Sequence, residues 1–463
     1  MSQITVTPKS KLPVAIIGAG PVGLAAAAHL VARGESFLLF DAGHEVGSNV
    51  LIWSHVRLFS PWEYNIDKAA RELLISHGWV APNNSDIPTG LEMVEKYFKP
   101  LASLPEIKPF IHLNSKVVAV NRKGLDKVKT NGRDDLPFVI HVEQNGDRML
   151  FEAKAVIDAS GTWTNPNPII SEGVWTAEEQ LFSKQIFYGI PEVLGKHKSR
   201  YSGRKVLVVG SGHSAINTLL ELGELKEEVQ ATEILWVLRK PKLRDVYGGQ
   251  EQDQLAARGA LGTRIQELVE SGKVKVLTPF FIQGFRKNED KIQVIGTLNN
   301  ERVQLDAIDE IISNTGSRPD FAFLREIRVI SDPSLESTLA LAPLIDPNVH
   351  SCGTVRPHGE KELRQPEKDF YIVGSKSYGR APTFLMATGY EQVRSVVAAL
   401  VGDHEAASKV ELQLPETGVC STQNGVSCCG TEVKETPVTH TKVVSSCCSS
   451  GTIPVASKSS CCS

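Results

Sequence analysis

Two sets of residues in this chain have types and spacings suited to chemistry. Gly18, Gly20 and Gly23 stand as G-x-G-x-x-G, and Gly210, Gly212 and Ala215 repeat the spacing as G-x-G-x-x-A. Glycines at these intervals tighten a turn, let backbone approach a pyrophosphate and let a helix pack closely on a strand, while amides at the helix start receive the phosphates. Asp41 follows Gly23 by 18 residues, where a carboxylate would meet a ribose hydroxyl. Behind the second cluster stand Arg239, Lys240, Lys242 and Arg244 instead. A carboxylate there would repel a 2′-phosphate and a guanidinium can grip it bidentately, so the second site reads as one for NADPH rather than NADH. The second set is three vicinal cysteine pairs, Cys428-Cys429, Cys447-Cys448 and Cys461-Cys462, with Cys420 nearby. Zinc favours separated C-x-x-C ligands. Trivalent arsenic, mercury and monovalent copper accept two or three thiolates from flexible donors, and adjacent cysteines suit them.

The glycines need a strand before them and a helix after them, and the chain supplies both twice. Val14–Ile17 is a buried apolar strand, an alanine-rich helix follows that Gly34 can end, and Phe37–Phe40 is a second strand ending at Asp41. Lys205–Val209, a helix through Leu222 and a strand over 233–238 repeat that order. In the first half, strands over 116–120, 138–142 and 149–156, with a hairpin turn at Asn145-Gly146, lead to Asp158-Ala159-Ser160-Gly161. In the second, Val274–Leu277, 291–295 and 302–305, with a turn at Asn299-Asn300, lead to Ser313-Asn314-Thr315-Gly316. A strand over 370–373, Gly374 and a helix from about 383 to 400 then return to the first unit. The expected fold class is α/β: two Rossmann-like dinucleotide-binding domains, each with a three-layer ββα sandwich, plus a disordered C-terminal tail. The expected boundaries are 12–200 and 319–402 for the first domain, 201–318 for the second and 403–463 for the tail.

A chain of 463 residues is long enough for about two to four domains. Its 50 basic and 53 acidic side chains leave a net charge of -3, which offers no basic field for nucleic acid. Hydrophobic residues at 41% argue against global disorder. Only Cys352 precedes residue 420, so the body reads as disulfide-free and the protein as cytoplasmic. The apolar run 13–32 is long enough to imitate a membrane span. Three glycines and a proline interrupt it, and the residues ahead of it do not resemble a signal peptide, so strand, turn and helix explain it better.

On these residues the chain resembles the two-dinucleotide-binding-domain flavoproteins, the class B flavin-dependent monooxygenases more than the thioredoxin reductases, over roughly residues 12–400. The resemblance implies FAD held at Gly18, Gly20, Gly23 and Asp41, and NADPH at Gly210, Gly212, Ala215 and Arg239. The stretch from Asp41 to Pro61 is similar to the segment that brings a tryptophan and an arginine beside the flavin, which places Trp53 and Arg57 there; the usual Gly-Gly is Gly47-Ser48. DASGTW, ending at Trp163, and TGSRPD, beginning at Thr315, resemble the two inter-domain linkers, with Gly161 and Gly316 at their turns. Gly374 and the residues after it look like the segment whose helix start faces the flavin pyrimidine edge. The monooxygenase signature is degenerate: Phe187 and Gly189 precede His197 and Tyr201 by four residues too many.

Disulfide reductases of this architecture pass electrons to a cysteine pair facing the flavin, and neither usual place holds cysteine here, which excludes a relay within the body. Oxygen, used to oxygenate a small soft nucleophile, and direct reduction of a bound acceptor remain. His55, His213 and Tyr378 are weak candidate catalytic residues, since a lone His at such a place is more often a packing residue, and the glycine-rich loop 247–250 with Arg258-Gly259 reads as a mobile lid. From Asp403 the composition turns to Ser, Thr, Val, Lys and Cys without periodicity. Its cysteine pairs resemble the terminal pair of mercuric reductase and the tails of arsenic-resistance flavoproteins, which implies soft-metal binding at Cys428, Cys429, Cys447, Cys448, Cys461 and Cys462. Incidental cysteines, or lipidation of the terminal Cys-Cys-Ser, are the other readings. The expected function is an FAD- and NADPH-dependent oxidoreductase of monooxygenase type acting on a small molecule. A reductase of a thiol-bound metal or metalloid and a metal-sequestering flavoprotein are the alternatives. No nucleic-acid partner and no membrane span are expected.

Overall fold

A computed structural model describes residues 9–350 and 358–412. Strands β1 (Val14–Ile17) and β2 (Phe37–Phe40) have apolar residues on both faces, the pattern of strands covered on both sides of a parallel sheet. Between them the helix Pro21–Ala32 is buried from Val22 to Leu30, which resolves the apolar run 13–32 into strand, turn and helix. The chain continues through β3 (Ile111–His112), β4 (Lys116–Arg122), β5 (Phe138–Gln144), β6 (Asp147–Ala153) and β7 (Ala155–Asp158). β4, β5 and β6 form an antiparallel meander whose hairpin turns at Asn145 and Gly146, with φ of 53° and 90°. Two successive positive φ values are what a tight hairpin needs. Val117, Val120, Ile140 and Val142 pack this meander onto Ala15, Ile17 and Val156 of the parallel sheet.

The second half repeats the plan. Its elements are β8 (Ile186–Tyr188), β9 (Lys205–Val209), the helix His213–Glu228, β10 (Glu233–Val237), the helix Ala256–Glu270, β11 (Val274–Leu277), β12 (Phe280–Asn288), β13 (Lys291–Leu298), β14 (Glu301–Ile308) and β15 (Glu310–Ser313). The parallel sheet runs β11-β10-β9-β15-β8, and β12-β13-β14 is its antiparallel meander. The chain then returns as β16 (Phe370–Ile372), which pairs in parallel with β7 and completes the order β16-β7-β1-β2-β3. The helix Met386–Leu400 covers that sheet beside Pro21–Ala32.

Several elements differ from the sequence expectation. The span 149–156 divides at Lys154, which bonds Glu35 and leaves β6 in the meander and β7 in the parallel sheet. The second-fingerprint helix runs to Glu228 rather than 222, and β12 adds a strand. The tail was expected to begin at 403, yet Asp403 caps a helix His404–Ser408, and the chain through Glu411 is fastened to Met386–Leu400. A buried triad secures the return segment: Glu367 accepts hydrogen bonds from Arg122 Nε (2.8 Å) and Arg133 Nη2 (2.8 Å), with all three side chains at most 2% exposed. Burial alone would raise the Glu367 pKa, but the two guanidinium groups outweigh it and hold the carboxyl below the usual range. Among the described residues no helix is long and apolar enough to cross a membrane.

Candidate active site

The two fingerprints adopt one geometry. Gly18 has φ of +104° and Gly210 of +130°. A Cβ on Gly18 would fall 2.6 Å from Ala159 O, and one on Gly210 would fall 2.4 Å from Asn314 O, so each strand-to-helix turn presses on the strand end beside it. A Cβ on Gly23 would lie 1.8 Å from Gly18 O, which is why the first helix can sit so close to its strand. At the equivalent place Ala215 is fully buried. The middle glycines behave differently: a Cβ on Gly20 or Gly212 would meet nothing within 4 Å. Both are N-caps with no side-chain acceptor on the helix amides, so each helix starts against open space. A phosphate fits such a place, because free amides and the positive end of the helix dipole both face it.

Asp41 Oδ2 accepts the Ala19 amide (2.6 Å) and Oδ1 the Gly43 amide (2.7 Å), which fixes the carboxylate beside the first turn. The second turn is steadied by Trp236, whose indole donates to Gly210 O at 2.7 Å. Arg239 lies exposed two residues beyond β10, with one hydrogen bond from Nη1 to Ser171 O (3.2 Å), which leaves most of its guanidinium for a ligand. Lys240 is half-buried and donates to Asp245 O (3.0 Å); burial lowers its pKa.

Trp53 packs on Trp163 of the first crossover, with ring centroids 6.1 Å apart, and the Gly90 backbone closes on it. Arg57 is largely exposed and donates to Ile87 O (2.6 Å); with Trp62, Trp79, Asp86 and Lys96 it lines a cavity of about 820 Å³. Gly161 and Gly316 have φ of +71° and +79° and lie in two crossovers that bond to each other. Asn167 N donates to Gly316 O (2.9 Å), Arg318 N to Asn165 O (2.9 Å) and Ser317 Oγ to Thr162 (2.9 Å). Gly374, with φ of +70°, opens the turn Gly374–Tyr378 and donates its amide to Gln392 Oε1 (2.7 Å). Below it lies a pair absent from the sequence reading, Lys376 Nζ to Asp158 Oδ2 at 2.7 Å, with neither side chain exposed.

The three candidate catalytic residues are not gathered at one point. His213 opens the second-fingerprint helix and packs on Phe59 with ring centroids 4.9 Å apart and the planes tilted by 41°; burial, and then the charges of Arg258 and Lys240, push its pKa down to about 4, so it is neutral near pH 7. His55 lies 3.9 Å from Glu221 two turns along the same helix, and burial lowers its pKa. Tyr378 is fully buried between His358 and Phe384, 5.6 Å and 5.3 Å away, and burial raises its pKa. The residues of the degenerate signature pack among themselves: Phe187 stands edge-on to His197 at 5.1 Å, His197 Nδ1 accepts the Glu192 amide, and Tyr201 is buried. The loop 247–250 is not a free lid. The helix Ala256–Glu270 approaches it so closely that a Cβ on Gly259 would lie 2.0 Å from Gln250 O and one on Gly262 1.8 Å from Tyr247 O, and Arg258 grips buried Asp253 through two bonds of 2.8 Å. No group of His, Cys, Asp and Glu among the described residues is arranged for a metal ion, and all the tail cysteines lie outside the described residues.

Residues 15–347 match the family model described as pyridine nucleotide-disulphide oxidoreductase. A ferredoxin–NADP reductase of Thermus thermophilus is 24% identical over 351 residues, which cover 74% of this chain and 84% of that protein. Among solved structures, the bacillithiol disulfide reductase Bdr of Bacillus cereus superposes with a TM-score of 0.62 at 18% identity, over 84% of this chain and 99% of that one. The cadaverine monooxygenase DfoA of Erwinia amylovora gives 0.59 at 13% identity, over 87% and 97%.

Proposed function

The chain belongs to the pyridine nucleotide-disulphide oxidoreductase family, and on that premise we propose that it is an oxidoreductase in which NADPH gives a hydride to FAD. The observation that carries this reading is the duplicated phosphate cradle: two strand-turn-helix units, each with an open space at its middle glycine and uncapped amides at its helix start. Asp41 beside the first cradle suits a ribose diol, and Arg239 beside the second suits a 2′-phosphate. FAD, when bound, supplies a two-electron store that accepts the hydride. The chain's own residues bind, orient and exclude water. Trp53 and Trp163 give an apolar wall, and His213, neutral and packed on Phe59, adds no charge beside the second cradle.

For the electrons' destination we read oxygen, with a small soft nucleophile as substrate and the tail cysteines as ligands of a thiophilic metal or metalloid. The likeness to DfoA and the lack of cysteine before Cys352 support the oxygen reading, and the three vicinal cysteine pairs alone support the metal reading. A second reading, direct reduction of a bound acceptor, is favoured by the packing roles of Phe187, His197 and Tyr201 and by the likeness to ferredoxin–NADP reductases. Oxygen dependence separates the two. Monooxygenation predicts that NADPH consumption with substrate stalls under anaerobic conditions; equal consumption without oxygen would leave the reductase.

A further inference from the structure

We propose that Lys376 is a positioning residue for hydride transfer, acting with the pair Arg318–Glu336 to hold the turn Gly374–Tyr378 to both crossovers and so to set how the NADPH half stands over the flavin side. The proposal rests on NADPH reducing FAD in this protein. Three observations lead to it. The first is the ion pair itself. Lys376 Nζ bonds Asp158 Oδ2 at 2.7 Å and Ser160 Oγ at 3.2 Å, and both charged side chains are wholly enclosed. Desolvation of a buried pair nearly cancels its attraction, so two well-packed apolar side chains in place of the pair would serve the core as well, and geometry is the better reason for placing the charges there. The second is its position. Asp158 ends β7 and begins the first crossover; Phe321 and Phe323, whose rings lie 5.5 Å and 4.4 Å from Nζ, follow the second. Asp158 lies at the carboxyl end of its strand in a doubly wound sheet, the edge at which such folds take their ligands.

The third observation is a second tie from the same turn. Gly379, with φ of +61°, brings the end of the turn so close to residues 335–337 that a Cβ there would lie 2.1 Å from Leu335 O. Arg380 N donates to Leu335 O (2.7 Å) and Thr338 N to Ser377 O (2.9 Å). Glu336, in that stretch, accepts Arg318 Nε at 3.1 Å, and Arg318 belongs to the second crossover. The turn is therefore tied to the first crossover through Lys376 and to the second through Glu336. The crossovers are in turn bonded to each other. Loosening either tie lets the two halves shift relative to each other, and the Arg318–Glu336 tie does so away from both glycine turns, whereas Lys376 holds the residues on either side of Ala159, against which the Gly18 turn packs.

Hydrogen exchange and stopped-flow reduction of the FAD-loaded full chain test this in two variants, Lys376→Met and, because a wholly buried change can upset folding, Arg318→Gln at a partly exposed pair. Expected are faster amide exchange in residues 159–167 and 314–319 with β1 and β9 unchanged, and a flavin-reduction rate about 10- to 100-fold slower with NADPH affinity unaltered. Unchanged exchange in both crossovers of Arg318→Gln, or an unchanged reduction rate in both variants, overturns the proposal. So does exchange that rises equally in β1 and β9 of Lys376→Met, which marks a purely structural role. Failure of NADPH to bleach the flavin of the unaltered protein would instead overturn the reading beneath it, and the exchange result stands apart from that.

Discussion

Arg239→Asp reverses the charge that the proposed function sets against the 2′-phosphate, the group by which NADPH and NADH differ. The guanidinium is exposed and has one protein hydrogen bond, to Ser171 O, so its removal leaves no buried group unpaired and the fold should be indifferent to it. Its loss to a bound 2′-phosphate is another matter. A hydrogen bond to a charged group contributes about 1.5–3 kcal/mol, and the open setting puts this one near the lower figure. The new carboxylate, about 5 Å from a phosphate of nearly two charges in a medium close to water, adds repulsion of about 1–2 kcal/mol. The sum, about 3 kcal/mol, corresponds to a fall of about 150-fold in kcat/KM for NADPH. NADH lacks the phosphate and should change by less than about threefold, because a solvated carboxylate can also accept a ribose hydroxyl. The assay is steady-state reduction of ferricyanide at varied NADPH and NADH, with thermal unfolding of the variant as control. A loss shared equally by both nucleotides refutes the assignment of this site, as does a fall below about tenfold for NADPH.

Two further outcomes follow from the same coordinates. Gly20→Ala adds a methyl to open space at an ordinary φ of −81°, so the protein should fold with unchanged stability but retain FAD at least about tenfold more weakly, whereas Gly23→Ala drives a Cβ to 1.8 Å from backbone and should not fold; retained FAD in the first or a native melting curve in the second would contradict the cradle. Because the Glu367 pKa is lowered in the fold, its stabilisation is complete above the unfolded value near 4.3 and is lost as pH falls through the depressed one, so Glu367→Gln should cost about 3 kcal/mol or more at pH 7 and flatten the acid limb of a urea-denaturation series below about pH 4.3; an unchanged limb would mean the triad does not govern it.

What was legible in the sequence is what local pattern encodes. The strands Val14–Ile17, Phe37–Phe40, Lys205–Val209 and Val274–Leu277 stand where the apolar runs put them, and both meander hairpins turn at the residues able to take positive φ. β12 was not legible because its end, Arg286, Lys287 and Asn288, is exposed and breaks the apolar alternation; pairing with β13 makes the strand. The helix after 403 owes its place to Arg394, which bonds the carbonyl oxygens of Ala406 and Lys409, and a serine- and alanine-bearing stretch carries no local sign of that. Site contacts failed for a similar reason. Lys376 meets Asp158 across 218 residues, and no spacing rule reaches that far. An aspartate closing an otherwise apolar buried strand was the one available signal, since a carboxylate there requires a partner.

The segment around Trp53 and Arg57 belongs by sequence to the first half, yet Phe59 packs into the hydrophobic core of the second and His55 lies against Glu221 of its fingerprint helix. His213 is the residue immediately after Gly212, so the first side chain beside the second cradle is also the one that packs on Phe59. That contact joins the helix start of the second cradle to the chain that carries Trp53, six residues before Phe59. Because the His213 imidazole stays neutral down to about pH 4, the contact remains one between two uncharged rings across the physiological range. The two cradles are thus joined on one side by bonded crossovers and on the other by Phe59, so under the proposed function a hydride donor in the second cradle would meet a first half already held against it.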